Sequence, residues 1–372
     1  MNDLTKFHGL HNLKTANEQE LENALLELTS GITALDTEAM AAMQNRVDAK
    51  IKPLGSLGVL EDIARQLAGI YGTATPKINK KAVLLMAGDH GVTEEGVSAA
   101  PQEITKQMFY SYLRGGAGIN VLANSAGAQV ICTDIGIATS LDRPELMAYR
   151  VKNGTNNMAK GPAMTRQEAI QALLTGAKIA SEAIASGINV LATGEVGIGN
   201  TTPSAALISV FTGHSVEDVT GRGTGLKDDA LINKQNVIKC AIEINHCDPA
   251  APIDTLAKIG GLEIAALVGA ILEAAYQRVP IVLDGIISSA AALTATKLAP
   301  LSTSYMIASH SSEELGQHLA LHQLGLRPRL DMHMRLGEGT GAALMFPIIE
   351  TALKVADEMA TFAEAAVTTG DF

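Results

Sequence analysis

Lys81-Ala-Val-Leu-Leu-Met-Ala-Gly-Asp-His90 is a short apolar run that ends in Gly-Asp-His. A run this apolar and this short reads as a strand buried on both faces of a parallel sheet. The pattern recurs without repeating its sequence, in Ala128-Gln-Val-Ile-Cys-Thr-Asp-Ile-Gly136, Ile188-Asn-Val-Leu-Ala-Thr-Gly-Glu195, Pro280-Ile-Val-Leu-Asp-Gly285 and Ser304-Tyr-Met-Ile-Ala-Ser-His310. Helical patterns lie between these runs. The clearest follows the capping box Thr165-Arg-Gln-Glu168, with Ile170, Leu173, Leu174, Ala177, Ala180 and Ile184 at helical spacing and Gly187 as its stop. Others run from about Leu262 to Gln277, from near Ser288 and from near Ser312. Strand–helix alternation implies βαβ crossovers and an α/β fold, a doubly wound, mostly parallel, Rossmann-like sheet.

The two ends of the chain differ from this middle. Residues 1–75 show helical periodicity broken at Lys52-Pro-Leu-Gly-Ser-Leu-Gly58, and residues 340–365 form a long amphipathic pattern. The expected organisation is an α/β catalytic domain over 76–335 and a smaller helical domain from 1–75 plus 336–372.

Composition narrows the function. Of 372 residues, 47% are hydrophobic and 18% charged, which is globular rather than disordered. Aromatics are 3%, Trp is absent and the net charge is −11, which argues against a nucleic-acid surface of stacked rings and clustered cations. Three cysteines without a CxxC fit a reducing compartment, and the N-terminus lacks a signal-peptide apolar core; the expected location is cytoplasmic. No apolar run is long enough to span a bilayer, and the nine histidines form no HExxH-type metal cluster.

Ligands of open parallel sheets bind beyond the carboxyl ends of the strands. Those ends carry Asp89, His90, Asp134, Glu195, Asp284, Ser309 and His310, which suggests one shared cleft. Gly194-Glu-Val-Gly-Ile-Gly-Asn-Thr-Thr202 follows a strand and opens a helix, so its backbone N–H groups can cradle an anion. Gly197 and Gly199 fit G-x-G, but Thr202 stands where a dinucleotide fingerprint closes with Gly or Ala. A single phosphate, helped by Asn200, Thr201 and Thr202, suits this turn better than a dinucleotide. Gly221-Arg-Gly-Thr-Gly225 with Lys227 and Lys234 reads equally as an anion-pairing segment or as a solvated loop and helix face. Ser98 through Gln102, with Thr105 and Met108, could line a flat-ring pocket or simply begin a core helix. Arg335-Leu-Gly-Glu-Gly-Thr-Gly-Ala342 sets one carboxylate, Glu338, among glycines before a buried helix. Alone, this stretch fits a solvated turn slightly better than a general base. Its company in the rest of the chain reverses that order.

Together these segments, with Ala87-Gly-Asp-His-Gly-Val92 and Asp284-Gly-Ile-Ile-Ser-Ser289, resemble the nicotinate-nucleotide–dimethylbenzimidazole phosphoribosyltransferase family of cobalamin biosynthesis. They occur in family order between about residues 45 and 365. The resemblance implies transfer of the phosphoribosyl group of nicotinate mononucleotide to 5,6-dimethylbenzimidazole, giving α-ribazole 5′-phosphate and nicotinate with inversion at the anomeric carbon. It implies Glu338 as general base and active-site positions for Glu195 and Lys234. Ser98, Gln102 and Met108 would meet the base, and Leu336 and Gly337 would bind substrate. The turn at Gly197, Gly199, Asn200, Thr201 and Thr202 would hold the 5′-phosphate, with Ser288 and Ser289 assisting. No cofactor or metal is implied, and a homodimer is. The run Ser309-His-Ser-Ser-Glu-Glu-Leu-Gly-Gln-His318 departs from the family pattern by lacking Pro and His after its Glu. Competing readings are a non-catalytic nicotinate-nucleotide-binding protein, an NAD-dependent oxidoreductase and, more weakly, a hydrolase.

Overall fold

The computed structural model describes residues 7–223 and 225–368. The outermost ends of the expected helical domain and Thr224 of the Gly221–Gly225 segment lie outside the described residues. Five strands form one all-parallel sheet: β1 (Lys81–Gly88), β2 (Gln129–Gly136), β3 (Val190–Val196), β4 (Ile281–Leu283) and β5 (Met306–Ala308). Their order is β2-β1-β3-β4-β5, so the winding direction reverses between β1 and β3. That reversal opens a crevice above the carboxyl ends of those two strands. The last apolar run of the sequence splits in two. It ends at Ala308, and β6 (His310–Ser312) pairs in parallel with β7 (Leu330–Met334) as a small second sheet.

Both faces of the main sheet are buried, as the continuous apolar runs require. Ala82, Leu84, Met86, Leu191, Ile281 and Leu283 face one layer of helices, which includes Arg166–Ala185, Leu262–Tyr276 and Ile286–Leu298. Val83, Leu85, Ala87, Val190, Ala192 and Val282 face the other, which includes Thr37–Asp48, Val59–Tyr71, Glu103–Arg114 and Thr340–Glu358. The predicted capping box forms: Thr165 accepts from the Glu168 N–H, and the Glu168 carboxylate accepts from the Thr165 N–H. Helices Arg166–Ala185 and Leu262–Tyr276 cross in backbone contact because glycines face each other there. A Cβ at Gly176 would lie 1.8 Å from the Ala266 carbonyl oxygen, and one at Gly269 1.7 Å from that of Leu173.

Several boundaries differ from expectation. The C-terminal helix ends at Glu358 rather than near 365, and short turns follow it. The helices placed near Ser288 and Ser312 begin at Ile286 and Leu315. Residues 98–102 precede a helix, Glu103–Arg114, rather than starting it. The first helix, Glu18–Ser30, packs beside Arg166–Ala185, whereas the next two pack with Thr340–Glu358 on the opposite face.

Candidate functional site

The crevice at the strand reversal is a cleft of about 420 Å³. Its floor is the end of β3. Glu195 is the penultimate residue of that strand and is 6% exposed. Its Oε1 receives the Glu338 N–H at 3.4 Å, and its Oε2 receives the Asn200 side-chain amide. Burial, reinforced by the negative charges of Asp284 and Glu263, pushes the Glu195 carboxyl up to about 8.

Glu338 enters from the turn before helix Thr340–Glu358. Gly337, Glu338 and Gly339 all adopt positive φ, at 80°, 64° and 92°. The turn also needs the absence of side chains on either side of Glu338. A Cβ on Gly337 would lie 2.6 Å from Glu195 Oε1, and one on Gly339 2.9 Å from the Thr193 carbonyl. The backbone beyond is pinned by Asp284 at the end of β4. That carboxylate accepts the N–H groups of Gly339 at 3.1 Å, Gly341 at 2.8 Å and Ala342 at 3.1 Å. Burial raises the Asp284 carboxyl, while nearby His310 and the three N–H donors pull it back.

The Glu338 carboxylate is 7% exposed and lines the cleft. Its Oε2 accepts the Ile119 N–H at 3.0 Å, at the start of helix Gly118–Ser125, and the Tyr112 hydroxyl also hydrogen-bonds to it. Burial raises its pKa, and these two donors restrain the rise. Both carboxyl groups are therefore raised by burial and each is restrained by two donors; Glu195 feels the Glu263 charge in addition.

The Gly-rich turn forms the next wall. Gly199 has φ 91°, and helix Thr201–Thr212 begins just after Asn200. The Ile198 N–H is held by Thr105 Oγ1 at 3.0 Å, which fixes the turn to helix Glu103–Arg114. Beneath it, His90 Nε2 meets Glu263 Oε1 at 2.7 Å, and both are buried. Lys234, fully buried on helix Asp228–Ile244, donates to Thr201 Oγ1 at 2.8 Å and to the Gly221 carbonyl at 3.3 Å. Burial pulls this amine down to about 8. It places a cation behind a helix N-terminus, an arrangement suited to an anion.

Of the residues singled out in the sequence, Ser98, Met108, Glu195, Gly197, Gly199, Asn200, Thr201, Leu336, Gly337 and Glu338 line this one cleft. Lys234 reaches it through Thr201, and Thr202 is buried in the first turn of its helix. Gln102 turns away and donates to the His90 carbonyl at 3.3 Å. Ser288 and Ser289 do not line the cleft. Ser288 accepts the Thr193 hydroxyl at 2.8 Å, and Ser289 donates to the Gly285 carbonyl at 2.9 Å. The cleft is lined there by Gly285, Ile286 and Ile287 instead. The sequence reading did not select Tyr112, Glu314 or Arg335, which also line it. Tyr112 shares a helical face with Thr105 and Phe109, a spacing that could have pointed to it. The Ile119 N–H leaves no signal in sequence. Among the described residues, no group of three or more His, Cys, Asp or Glu side chains is arranged to hold a metal ion.

A family model described as a phosphoribosyltransferase matches residues 32–367, which hold the doubly wound sheet, the Gly-rich turn and the adjoining pair of carboxyl groups. The chain is 52% identical to the nicotinate-nucleotide–dimethylbenzimidazole phosphoribosyltransferase of Geobacter sulfurreducens, over 94% of this chain and 99% of that one. It is also 52% identical to the protein of the same name from Desulforamulus reducens, over 93% and 99%. The crystal structure of CobT from Thermus thermophilus superposes with a TM-score of 0.86 at 44% identity, covering 90% of this chain and 100% of that one. The chain belongs to the nicotinate-nucleotide–dimethylbenzimidazole phosphoribosyltransferase family, whose members are transferases of the pentosyl class.

Proposed function

We propose that the chain transfers the 5-phosphoribosyl group of nicotinate mononucleotide to 5,6-dimethylbenzimidazole. The observation that carries this reading is Glu338, a carboxylate held by a left-handed turn beside Glu195 and facing the same cleft as the phosphate-suited turn. The 5′-phosphate binds at Gly197–Thr201, with Lys234 supplying charge through Thr201. The benzimidazole lies between Ser98, Met108, Leu336 and Gly337. Glu338 takes the proton of the benzimidazole N–H, and the freed nitrogen pair attacks C1′. The bond from C1′ to the pyridinium nitrogen breaks on the opposite face, and its electron pair stays with nicotinate. Attack opposite to departure converts the β-linked nucleotide into α-ribazole 5′-phosphate.

A pyridinium needs no proton in order to leave, so the protein's work is to align two flat rings across C1′ and to accept one proton. The positive charge spread over C1′ in the transition state faces the Glu338 carboxyl group, which lines the cleft, an arrangement that favours it electrostatically. Glu195, kept neutral, braces the Glu338 backbone without adding a competing charge. The setting of this reading is a homodimer in the cytoplasm, with residues 76–335 as the catalytic part and 1–75 plus 336–372 as its helical complement.

The test is chromatographic. Protein is incubated with nicotinate mononucleotide, with and without 5,6-dimethylbenzimidazole, and nicotinate and α-ribazole phosphate are followed over time. Base-dependent nicotinate release matched by nucleotide product is expected. Release without the base would make the chain a hydrolase, and binding without release a non-catalytic nucleotide-binding protein.

A further inference from the structure

The wall of the cleft opposite Glu195 and Glu338 carries a third glutamate to which the reaction above gives no task. Glu314 lies between β6 and helix Leu315–Leu324, is only 7% exposed, and lines the cleft. Its position is the N-cap of that helix, yet its side chain makes no capping hydrogen bond. It reaches across to the Gly221–Gly223 segment instead, where Oε1 accepts the Gly223 N–H at 2.9 Å. Oε2 is buried and has no hydrogen-bond partner. It rests against Gly221, where an added Cβ would lie 1.8 Å away.

A buried carboxylate oxygen without a donor is costly, and folded proteins rarely keep one without a use for it. Three other side chains share that condition near the cleft: Asp89, Glu263 and Thr202. None of these lines it, whereas Glu314 does. The missing partner is therefore a hydrogen-bond donor that arrives with the ligand. On the phosphoribosyl reading, the choice of donor is narrow. The phosphate and the ring oxygen only accept, so the two ring hydroxyls are the sole donors the transferred group brings. The phosphate is not that partner, because a carboxylate repels an anion; Lys234, which donates to the Gly221 carbonyl, approaches the same Gly221–Gly223 segment and offsets the Glu314 charge without bonding Oε2.

We infer that Glu314 is a specificity-determining residue that accepts a hydrogen bond from a ribose hydroxyl and so selects ribosyl over deoxyribosyl donors. This rests on the phosphoribosyl reading given above. To meet the diol, Oε2 has to move off Gly221, against which it is packed, while Oε1 keeps the Gly223 N–H.

The experiment measures binding of nicotinate mononucleotide and of its 2′-deoxy and 3′-deoxy analogues by isothermal titration, with no acceptor base present. Wild type, Glu314→Ala, Glu314→Gln and Gly221→Ala are compared. For a hydrogen bond to a charged group, wild type should bind at least one deoxy analogue about tenfold to a hundredfold more weakly than the parent. Glu314→Ala should reduce that ratio to below about threefold, and Glu314→Gln should leave an intermediate ratio, as a neutral acceptor does. Gly221→Ala keeps the glutamate but displaces its carboxylate, and should also lower the ratio; it serves, with Glu314→Gln, if the Ala variant fails to fold. A merely structural Glu314 would weaken all three nucleotides together and leave the ratio intact. An unchanged ratio in the folded variants, or equal binding of all three nucleotides by wild type, overturns the inference while leaving the transferase reading in place. If wild type does not bind the parent nucleotide at all, the reading on which the inference rests fails, and the inference with it.

Discussion

Replacing Glu195 with Gln should make the protein more stable above about pH 5 and cost it little activity, an unusual outcome for a residue at the centre of a cleft. The carboxyl is pushed up to about 8 from an ordinary 4.5, first by burial and then by the Asp284 and Glu263 charges. Below pH 4.5 it is protonated in both the folded and unfolded chain. Between 4.5 and 8 the unfolded chain releases the proton and the fold retains it, so stability falls as pH rises through this window. At about 1.4 kcal/mol per pH unit, the whole window is worth at most roughly 4–5 kcal/mol. Gln has the shape of the neutral acid; its oxygen can accept the Glu338 N–H while its amide donates to Asn200, whose side chain turns to present its oxygen, so it escapes this loss. Urea titrations of wild type and Glu195→Gln at about pH 5, 7 and 8.5 would measure it. The gap between the two should widen by about 1–2 kcal/mol or more from about pH 5 to 8.5. A gap that stays constant across pH would refute the claim that Glu195 folds as the neutral acid. The same reasoning expects turnover within about tenfold of wild type near pH 7, because the variant imitates the protonation state already present.

The neighbouring substitution should behave oppositely. Glu338→Gln should keep the fold and nucleotide binding but lose about 10²- to 10⁴-fold in kcat, the usual worth of a general base, and full activity in that variant would remove Glu338 from the role. Since burial raises the Glu338 carboxyl from its ordinary 4.5 and the base acts only when charged, the kcat/KM of wild type should fall with decreasing pH along a limb centred above that value. The residual activity of Glu338→Gln should lack that limb. Lys234, drawn down to about 8 by burial, should lose its charge as pH rises through that value. The KM for nicotinate mononucleotide should then rise above about pH 8 in wild type, and should be at least about tenfold higher but flat in Lys234→Met. Away from the cleft, Gly176→Ala should destabilise by about 1–3 kcal/mol through forced separation of two helices, read as a lower urea midpoint with the nucleotide affinity per folded molecule unchanged.

Much of the fold was legible because the strands are buried on both faces. Such strands must be continuously apolar, and Lys81–Gly88 and Val190–Val196 stand out from the helical periodicity around them. The polar residues that follow mark the strand ends, and of those named Glu195 and His310 line the cleft, while Asp89, His90, Asp134, Asp284 and Ser309 lie behind it. The short strands were harder. In Ser304–His310, a run of apolar and small residues hides a break at Ser309, whose N–H bonds back to the Leu283 carbonyl and whose own carbonyl serves Arg329 and Leu330. Sequence has no means to register that change of partner. Ser288 and Ser289 illustrate a different limit. Their expected role came from the family resemblance, and the pattern that put the helix start near Ser288 carries no orientation for them; the helix begins at Ile286. The serines face Thr193 and the helix backbone, while Ile286 and Ile287 meet the cleft.

Glu338 raises the question of why a strained position holds a glutamate rather than the glycine its φ of 64° favours. A non-glycine residue there costs on the order of 1 kcal/mol, and nothing local returns it. The cost is met by the surroundings: three N–H groups beyond the turn are fixed on Asp284, the Glu338 N–H is fixed on Glu195, and the flanking glycines admit Glu195 and the Thr193 carbonyl at distances no side chain would allow. With both ends of the turn tied to the ends of β3 and β4, the left-handed backbone directs the side chain toward helix Gly118–Ser125, where the Ile119 N–H receives it. The strain is thus tied to a position: it sets one carboxylate above the carboxyl ends of two central strands, close to Glu195 yet with its own donors, the Ile119 N–H and the Tyr112 hydroxyl.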